Sequence, residues 1–255
     1  MKAISDSLLE TILQLQQLPQ LSASSLGGGT NLAVRYGHRI SYDIDLFFPG
    51  IIGKQGYELV RKEVESFFGD ALFGMDYPCD ENDQFLFQRF YVRKKDIGIK
   101  VEILQNMQIH DEPEVINGIR LTSLQDIGLL KLMSACNRAN YKDIYDLDYL
   151  TDHTPLPELM TLLKQKEVKY HLPEHQNIFD LDGQQSPVAD PELLLKFEQP
   201  VKGSISRPGH SNPRIDFIEG KKNWPAARSS WRRKVRAYYV SIGKDFPGLQ
   251  AIIPS

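Results

Sequence analysis

Residues 26–48, LGGGTNLAVRYGHRISYDIDLFF, limit what this chain can fold into more than any other stretch. Consecutive glycines permit a tight backbone turn that residues with side chains resist. The following Thr30–Tyr36 has helical character, with Thr30 in the position of an N-cap, and Ser41–Phe48 alternates as a strand. Residues two apart in a strand share a face, so Asp43 and Asp45 are expected side by side while Ile44 and Leu46 turn to the core. Two carboxylates held that close repel unless a proton or a cation separates them. Magnesium suits such a pair, because it takes hard oxygen ligands and keeps positions for water and phosphate. The glycine turn, with free N–H groups opening toward a helix N-terminus, supplies an anion site for phosphates. Turn and carboxylates together fit a nucleoside triphosphate with its metal. Neither GxxxxGK[ST] nor GxGxxG occurs, which sets aside the other common phosphate loops.

The remaining composition is that of an ordinary folded protein. The 255 residues are 41% apolar and 25% charged, enough for one large domain or two small ones. Two cysteines, Cys79 and Cys136, make no disulfide framework and fit a reducing cytosol. The N-terminal segment has acids among its leucines in place of the basic start and apolar run of a signal peptide. No stretch reaches the roughly 18 apolar residues that span a bilayer. A soluble, cytoplasmic protein without membrane contact is expected. Charge is uneven: residues 201–255 hold 11 Lys or Arg against 3 Asp or Glu, although the whole chain carries −3. Such a basic end suits either a polyanionic partner or the acidic body of the same chain.

Leucine spacing predicts a helix over 4–17, and Leu59, Val60, Val64 and Phe67 predict another over 57–68. QFLFQRFYVR (84–93), KKD (94–96) and IGIKVEIL (97–104) read as a hairpin. In its second strand Ile97, Ile99, Val101 and Ile103 share one face, with Gly98, Lys100 and Glu102 on the other. Asn117-Gly118 within EVINGIRL marks a second hairpin. From Ser123 the pattern turns helical: 123–137, with Asp126 answering Ser123 in a variant capping box, then 141–150, then near 157–166. Residues 170–223 read as loop. The run 224–240 reads as a helix with Trp224, Ala227, Trp231, Val235 and Tyr238 at packing positions and Arg228, Arg232 and Arg236 in a basic stripe. The expected class is α+β (mixed α/β). A mixed-sheet core occupies 1–121, a helical region over 122–170 completes a cleft, and a loop-rich segment over 171–255 ends in the basic helix.

Glu102 is the candidate third carboxylate, since its strand buries the opposite face and directs Glu102 away from that core. The plain alternative is an ion pair with Lys100 or a neighbour. Two metals about 3.5–4 Å apart activate an attacking hydroxyl and stabilise leaving pyrophosphate. Asp43 and Asp45 would bridge both, and Glu102 would hold the catalytic one and assist deprotonation. His38 reads as positioning or packing, and Ser41 has no adjacent His-Asp pair that would make it a nucleophile.

These residues carry a resemblance. GGTNLAVRYGHRISYDIDLFF is similar to the signature segment of the AbiEii/AbiGii-toxin nucleotidyltransferases, within the polymerase-β-like nucleotidyltransferase superfamily. Gly28, Gly29 and Thr30 fit that family's GGT turn, and Arg39, Ser41, Asp43 and Asp45 fit its R-x-S-x-D-x-D. KVEIL with Glu102 resembles the third-carboxylate strand, where the family often has Asp. LLKLMSACNRANYKDIYDLDYL resembles the later helical motif and puts Lys131, Arg138, Asp143 and Asp146 on the nucleotide or substrate side. Asn31 departs from the small apolar residue often found there. The likeness is sharp over 26–48, fair over 97–150 and vague beyond 170.

The resemblance implies a polymerase-β-like sheet with flanking helices followed by a helical region. It implies transfer of a nucleoside monophosphate from an NTP to a hydroxyl, with two Mg²⁺ (or Mn²⁺) ions on Asp43, Asp45 and Glu102. Gly28, Gly29, Thr30, Arg39, Ser41 and Lys131 become nucleotide-binding candidates. It also implies the toxin-like half of a toxin–antitoxin or abortive-infection pair, with an antitoxin protein as partner and RNA or tRNA as acceptor. Two other readings stand beside it: a nucleotide- or partner-binding module without turnover, and a transferase acting on a small molecule. Lys131 can offer a point charge to a triphosphate. Asp143 and Asp146, three apart on one helix face, can bind a ribose hydroxyl, a base edge or basic side chains of the core. The helix over 224–240 suits RNA guidance or packing through its tryptophans with a solvated basic face.

Overall fold

The computed structural model describes residues 2–79, 82–138, 140–198 and 214–247. Within them the strands are β1 (Ser25–Leu26), β2 (Ile44–Phe47), β3 (Leu72–Cys79), β4 (Phe87–Lys94), β5 (Ile97–Leu104), β6 (Glu114–Ile116) and β7 (Ile119–Leu121). The helices are α1 (Asp6–Gln17), α2 (Gly28–Tyr36), α3 (Gly53–Phe68), α4 (Leu124–Arg138), α5 (Tyr141–Leu150), α6 (Leu156–Lys169) and α7 (Trp224–Ser241). The strands form one mixed sheet in the order β3-β4-β5-β2-β1-β7-β6. Pairing is parallel between β2 and β5 and between β1 and β7, and antiparallel elsewhere.

Alternation along the central strands separates two cores. Ile99, Val101 and Ile103 of β5, with Phe90 and Val92 of β4, are buried together with Leu8 and Ile12 of α1 and Val60 and Val64 of α3. On the opposite face Leu104, Phe87 and Phe47 join Leu129, Leu132, Ile144, Leu147, Trp231 and Val235 in a second core. That face carries Arg89 and Arg93 of β4 and Lys100 and Glu102 of β5, and α4 and α5 lie over it.

Local chemistry explains the helix starts. Ser5 accepts the Leu8 amide at 3.1 Å ahead of α1. Ser123 Oγ accepts the Asp126 amide and donates to the Asp126 carboxylate (3.0 and 2.8 Å) before α4, the expected capping variant. Asn140 caps α5 and Asn223 caps α7.

Several expectations need correction. Gly27, not Thr30, sits at the cap of α2, because the glycines let the helix begin two residues earlier. β2 starts at Ile44, so Asp43 lies just ahead of the strand while lining the same cavity as Asp45. Ile97, at the turn end of β5, is 53% exposed, and Leu59 and Phe67 of α3 are exposed as well. β3 has no counterpart in the sequence reading. Its burial does not alternate cleanly and its pairing with β4 shifts register twice, which erases the period-two signal.

The loop reading of 170–223 contains short 3₁₀ turns, and one of them, Pro191–Glu198, buries Leu194 and Phe197 in the second core. Residues 199–213 of that stretch lie outside the described residues. On α7 the basic stripe is largely engaged within the chain. Arg228 and Arg232 pair with Glu198, Lys234 pairs with Asp148 and Asp152, and Arg236 lies 4.9 Å from the Phe246 ring centroid. Trp231 is fully buried, its indole N–H donating to Leu194 O at 2.9 Å. No described helix is long and apolar enough to cross a membrane.

Candidate active site

The three glycines are required by close approach. A Cβ on Gly27 would lie 2.0 Å from the Phe47 ring, one on Gly28 1.8 Å from Asp45 Oδ2, and one on Gly29 2.0 Å from Arg39 Nη2. Gly28 also has φ +59°, the left-handed region that favours glycine. The first turn of α2 is thereby pressed onto Asp45 and Arg39. Thr30 fixes the loop that follows α2: its hydroxyl donates to Asp43 O at 2.5 Å and lies 2.8 Å from Ser41 Oγ. A hydroxyl carries one proton, so Ser41 donates to Thr30.

Beside the turn stand the carboxylates. Asp45 and Glu102 are register partners on parallel strands, and Asp43 lines the same cavity from just ahead of β2. Glu102 is not bare. Its Oε1 accepts from Arg89 (2.6 and 2.8 Å) and its Oε2 from Lys100 at 3.1 Å. Lys100 is also 3.9 Å from Asp43. Burial raises the Glu102 carboxyl, but Lys100 and then Arg89 outweigh it and hold it below the ordinary value. Asp45 goes the other way. Burial first, and the Glu102 charge second, push its carboxyl up to about 7.

α4 and α5 close the opposite wall. Lys131 is buried between Asp143 and Asp146, 2.8 Å from each. Arg138 reaches within 3.4 Å of Asp143 and lines the cavity with Lys131, Lys142 and Asp143. Asp146 is placed differently. It is fully buried, absent from the lining, and bonded to Arg39 Nε (2.6 Å) and Nη2 (2.9 Å), His38 Nε2 (2.7 Å) and Lys131. Burial raises its carboxyl, and Arg39 and Lys131 reverse that to well below the ordinary value. Of the alternatives open from sequence, Asp146 takes the one that binds basic side chains of the core. His38 packs between Tyr145 and Tyr149, with burial lowering its basicity.

The cavity, of about 160 Å³, therefore brings together Gly28, Gly29, Thr30, Arg39, Ser41, Asp43, Asp45, Glu102, Lys131, Arg138 and Asp143. It also contains Lys100, Arg89 and Lys142, which the sequence reading did not place there. Two signals were available: Lys100 shares a strand face with Glu102, and Lys142 precedes Asp143. Arg89 depended on hairpin register.

Asp43 and Asp45 are hard oxygen donors at one wall, and the elevated Asp45 carboxyl is a charge short of a cation, which fits a divalent metal. Glu102 already has both oxygens on cations. Among the described residues no group of three or more His, Cys, Asp or Glu is drawn into a metal-holding cluster.

A mixed sheet with a glycine turn on one strand edge, paired acids on adjacent strands and helices roofing them defines a polymerase-β-like nucleotidyltransferase fold. The family described as nucleotidyl transferase AbiEii toxin, of type IV toxin–antitoxin systems, matches residues 11–235, and the chain belongs to it. The solved structure of MenT4, a nucleotidyltransferase toxin from Mycobacterium tuberculosis H37Rv, superposes with a TM-score of 0.55 at 16% identity, covering 94% of this chain and 83% of that one. At that identity the likeness shows the fold. An uncharacterized protein of Aquifex aeolicus (strain VF5) is 29% identical over 148 residues, covering 55% of this chain and 65% of that relative's length.

Proposed function

We propose that this protein transfers a nucleoside monophosphate from an NTP to a hydroxyl of an RNA acceptor, tRNA included, with Mg²⁺ or Mn²⁺ bound, as the toxin of a toxin–antitoxin pair. The observation that supports this best is the register pairing of Asp45 with Glu102 directly under the Gly28 turn. The α2 amides and the cations Lys131, Lys142 and Arg138 face the triphosphate and hold its charge. The acceptor oxygen attacks the α-phosphorus, and the bond from that phosphorus to the β-phosphate oxygen breaks. Pyrophosphate leaves, and the hydroxyl proton passes to the Asp45–Glu102 wall. Divalent ions on Asp43 and Asp45, with Glu102 as the third ligand candidate, would supply charge neutralisation at the phosphates. Asp146 positions Arg39 and Lys131 without touching substrate.

The test is incubation with labelled NTPs, Mg²⁺ and total RNA. Label moves to RNA with the wild type and not with Asp45→Ala; equal transfer by both sinks the proposal. One observation favours a second reading: Glu102 is saturated by Arg89 and Lys100. A binding module without turnover would bind Mg²⁺–NTP in calorimetry and release no pyrophosphate with any acceptor.

A further inference from the structure

The cavity floor continues beyond its roof. Alternate residues of a strand share a face, so the cavity face of β4 presents Phe87, Arg89, Tyr91 and Arg93. On β5 it presents Leu104, Glu102, Lys100 and Gly98. Arg89 is opposite Glu102, Tyr91 opposite Lys100 and Arg93 opposite Gly98. Phe87 and Leu104 are buried in the core shared with α4, whereas Arg93 and Gly98 are exposed. The helical roof stops partway along these strands. On the uncovered part, Phe73 of β3 joins as the register partner of Tyr91.

The residues gathered there are specific in kind. The Phe73 and Tyr91 rings are stacked at 5.3 Å and 23°, and the Arg93 guanidinium lies 5.2 Å from the Phe73 ring centroid. Phe73 is 39% exposed, although the other face of the same strands is closed by α1 and α3. Gly98 permits the arrangement, since a Cβ there would lie 2.8 Å from Phe73 Cζ; a glycine within a strand marks just such a close approach. Lys100 then links the strip to the cavity, 3.1 Å from Glu102 and 3.9 Å from Asp43.

Aromatic faces beside arginine match the two surfaces of an unpaired nucleic acid strand. Bases of any sequence stack on the rings, and guanidinium groups meet the phosphates. A duplex hides its base faces, and a protein partner would need a broader apolar patch than two rings set among Arg89, Arg93 and Lys100. From Phe73 to Asp45 there are three inter-strand steps and two residues along the strand, about 16 Å at the usual spacings, which is the reach of a short run of nucleotides. We infer that the Phe73–Tyr91–Arg93 strip is the docking track for the single-stranded end of a nucleic acid acceptor, presenting its terminal hydroxyl to Asp45 and Glu102. The presentation of a hydroxyl rests on the transfer reading above; the binding rests on the strip alone.

The experiment measures both. Binding of a fluorescein-labelled single-stranded oligoribonucleotide, and of the same sequence as a duplex, is followed by anisotropy with the full chain and no NTP. The single strand binds more tightly than the duplex, and Phe73→Ala or Tyr91→Ala weakens it about ten-fold or more. Phe73→Leu keeps an apolar cover over Gly98 and weakens binding nearly as much, with melting temperature unchanged, which separates stacking from folding. Equal binding by wild type and variants, no binding of the single strand, or a protein partner shielding Phe73 and Tyr91 in place of RNA overturns the inference. In labelled-NTP transfer the same variants raise KM for the oligonucleotide and leave KM for NTP alone. Binding through the strip without any transfer would sink the reaction and keep the track; transfer with unchanged acceptor KM would do the reverse.

Discussion

Gly28 and Gly37 form a natural controlled pair. Both flank or begin α2, and both are left-handed, at φ +59° and +55°. An added Cβ meets Asp45 Oδ2 at 1.8 Å at Gly28 and nothing within 4 Å at Gly37. Alanine at either position suffers the left-handed strain of about 1–2 kcal/mol, a fall of a few degrees in Tm for a chain of this size. Only Gly28→Ala must also displace the Asp45 carboxylate or the turn by about 1 Å, and a misplacement of that size lowers rates on the order of 10²-fold. Thermal melting and labelled-NTP transfer, run in parallel, separate the two effects. Gly37→Ala should lose a little stability and keep its activity, while Gly28→Ala loses both. Matching activities would refute the claim that the turn sets the position of Asp45.

Three further outcomes follow from the same geometry. Asp146→Asn strands Arg39 and Lys131 in a buried site, and should destabilise by about 3–5 kcal/mol in urea titration. Because the folded Asp146 carboxyl lies well below its ordinary 3.8, its contribution is whole above that pH and is lost as acid approaches the folded value, so the variant's stability should flatten below about pH 4 where the wild type falls steeply. Lys166 is held down from 10.5 to about 8 chiefly by burial; the unfolded chain binds the extra proton between those values, so wild-type stability rises with pH across that window. Lys166→Met should remove the slope and stabilise at pH 7 by about 1–2 kcal/mol, and an unchanged slope would count against a half-buried ammonium. Arg228→Ala with Arg232→Ala should leave oligonucleotide affinity unchanged, since both arginines are engaged by Glu198; a marked loss would return RNA guidance to α7.

What could be read from the sequence was whatever depends on neighbours along the chain. Asp45 and Glu102 were found because alternation dictates a face, and the glycine turn because only glycine tolerates such approach. The strand carrying Asp45 begins at Ile44, one residue after Asp43, a boundary set by pairing with β5 and not by the local pattern. β3 escaped because its bulges break the alternation. The roles of Asp143 and Asp146 were left open because i and i+3 residues look alike until the partners arrive from the loop after α2 and from α4. Lys100 and Arg89 around Glu102 became visible only with the hairpin register.

The distribution of paired and unpaired charge argues for the same cavity independently of any motif. Asp146 gathers Arg39 and His38 from the loop after α2 and Lys131 from α4 onto one carboxylate. In a low-dielectric interior that cluster holds together or fails together, so Asp146 fixes the wall and itself has nothing left for a ligand. The residues one layer nearer the cavity are short of partners instead. Asp45 has its carboxyl pushed up to about 7 by burial and Glu102. Lys142 is held below its ordinary value by burial and then by Arg39. Asp143 Oδ2 is the buried carboxylate oxygen that lacks a hydrogen bond among the described residues. A ligand carrying phosphates to Lys142 and a cation to Asp45 would relieve both deficits at once, whereas an apolar ligand would relieve neither. Asp146 and its partners hold the frame while Asp45, Lys142 and Asp143 face the space, which is the arrangement expected where a charged substrate completes the electrostatics.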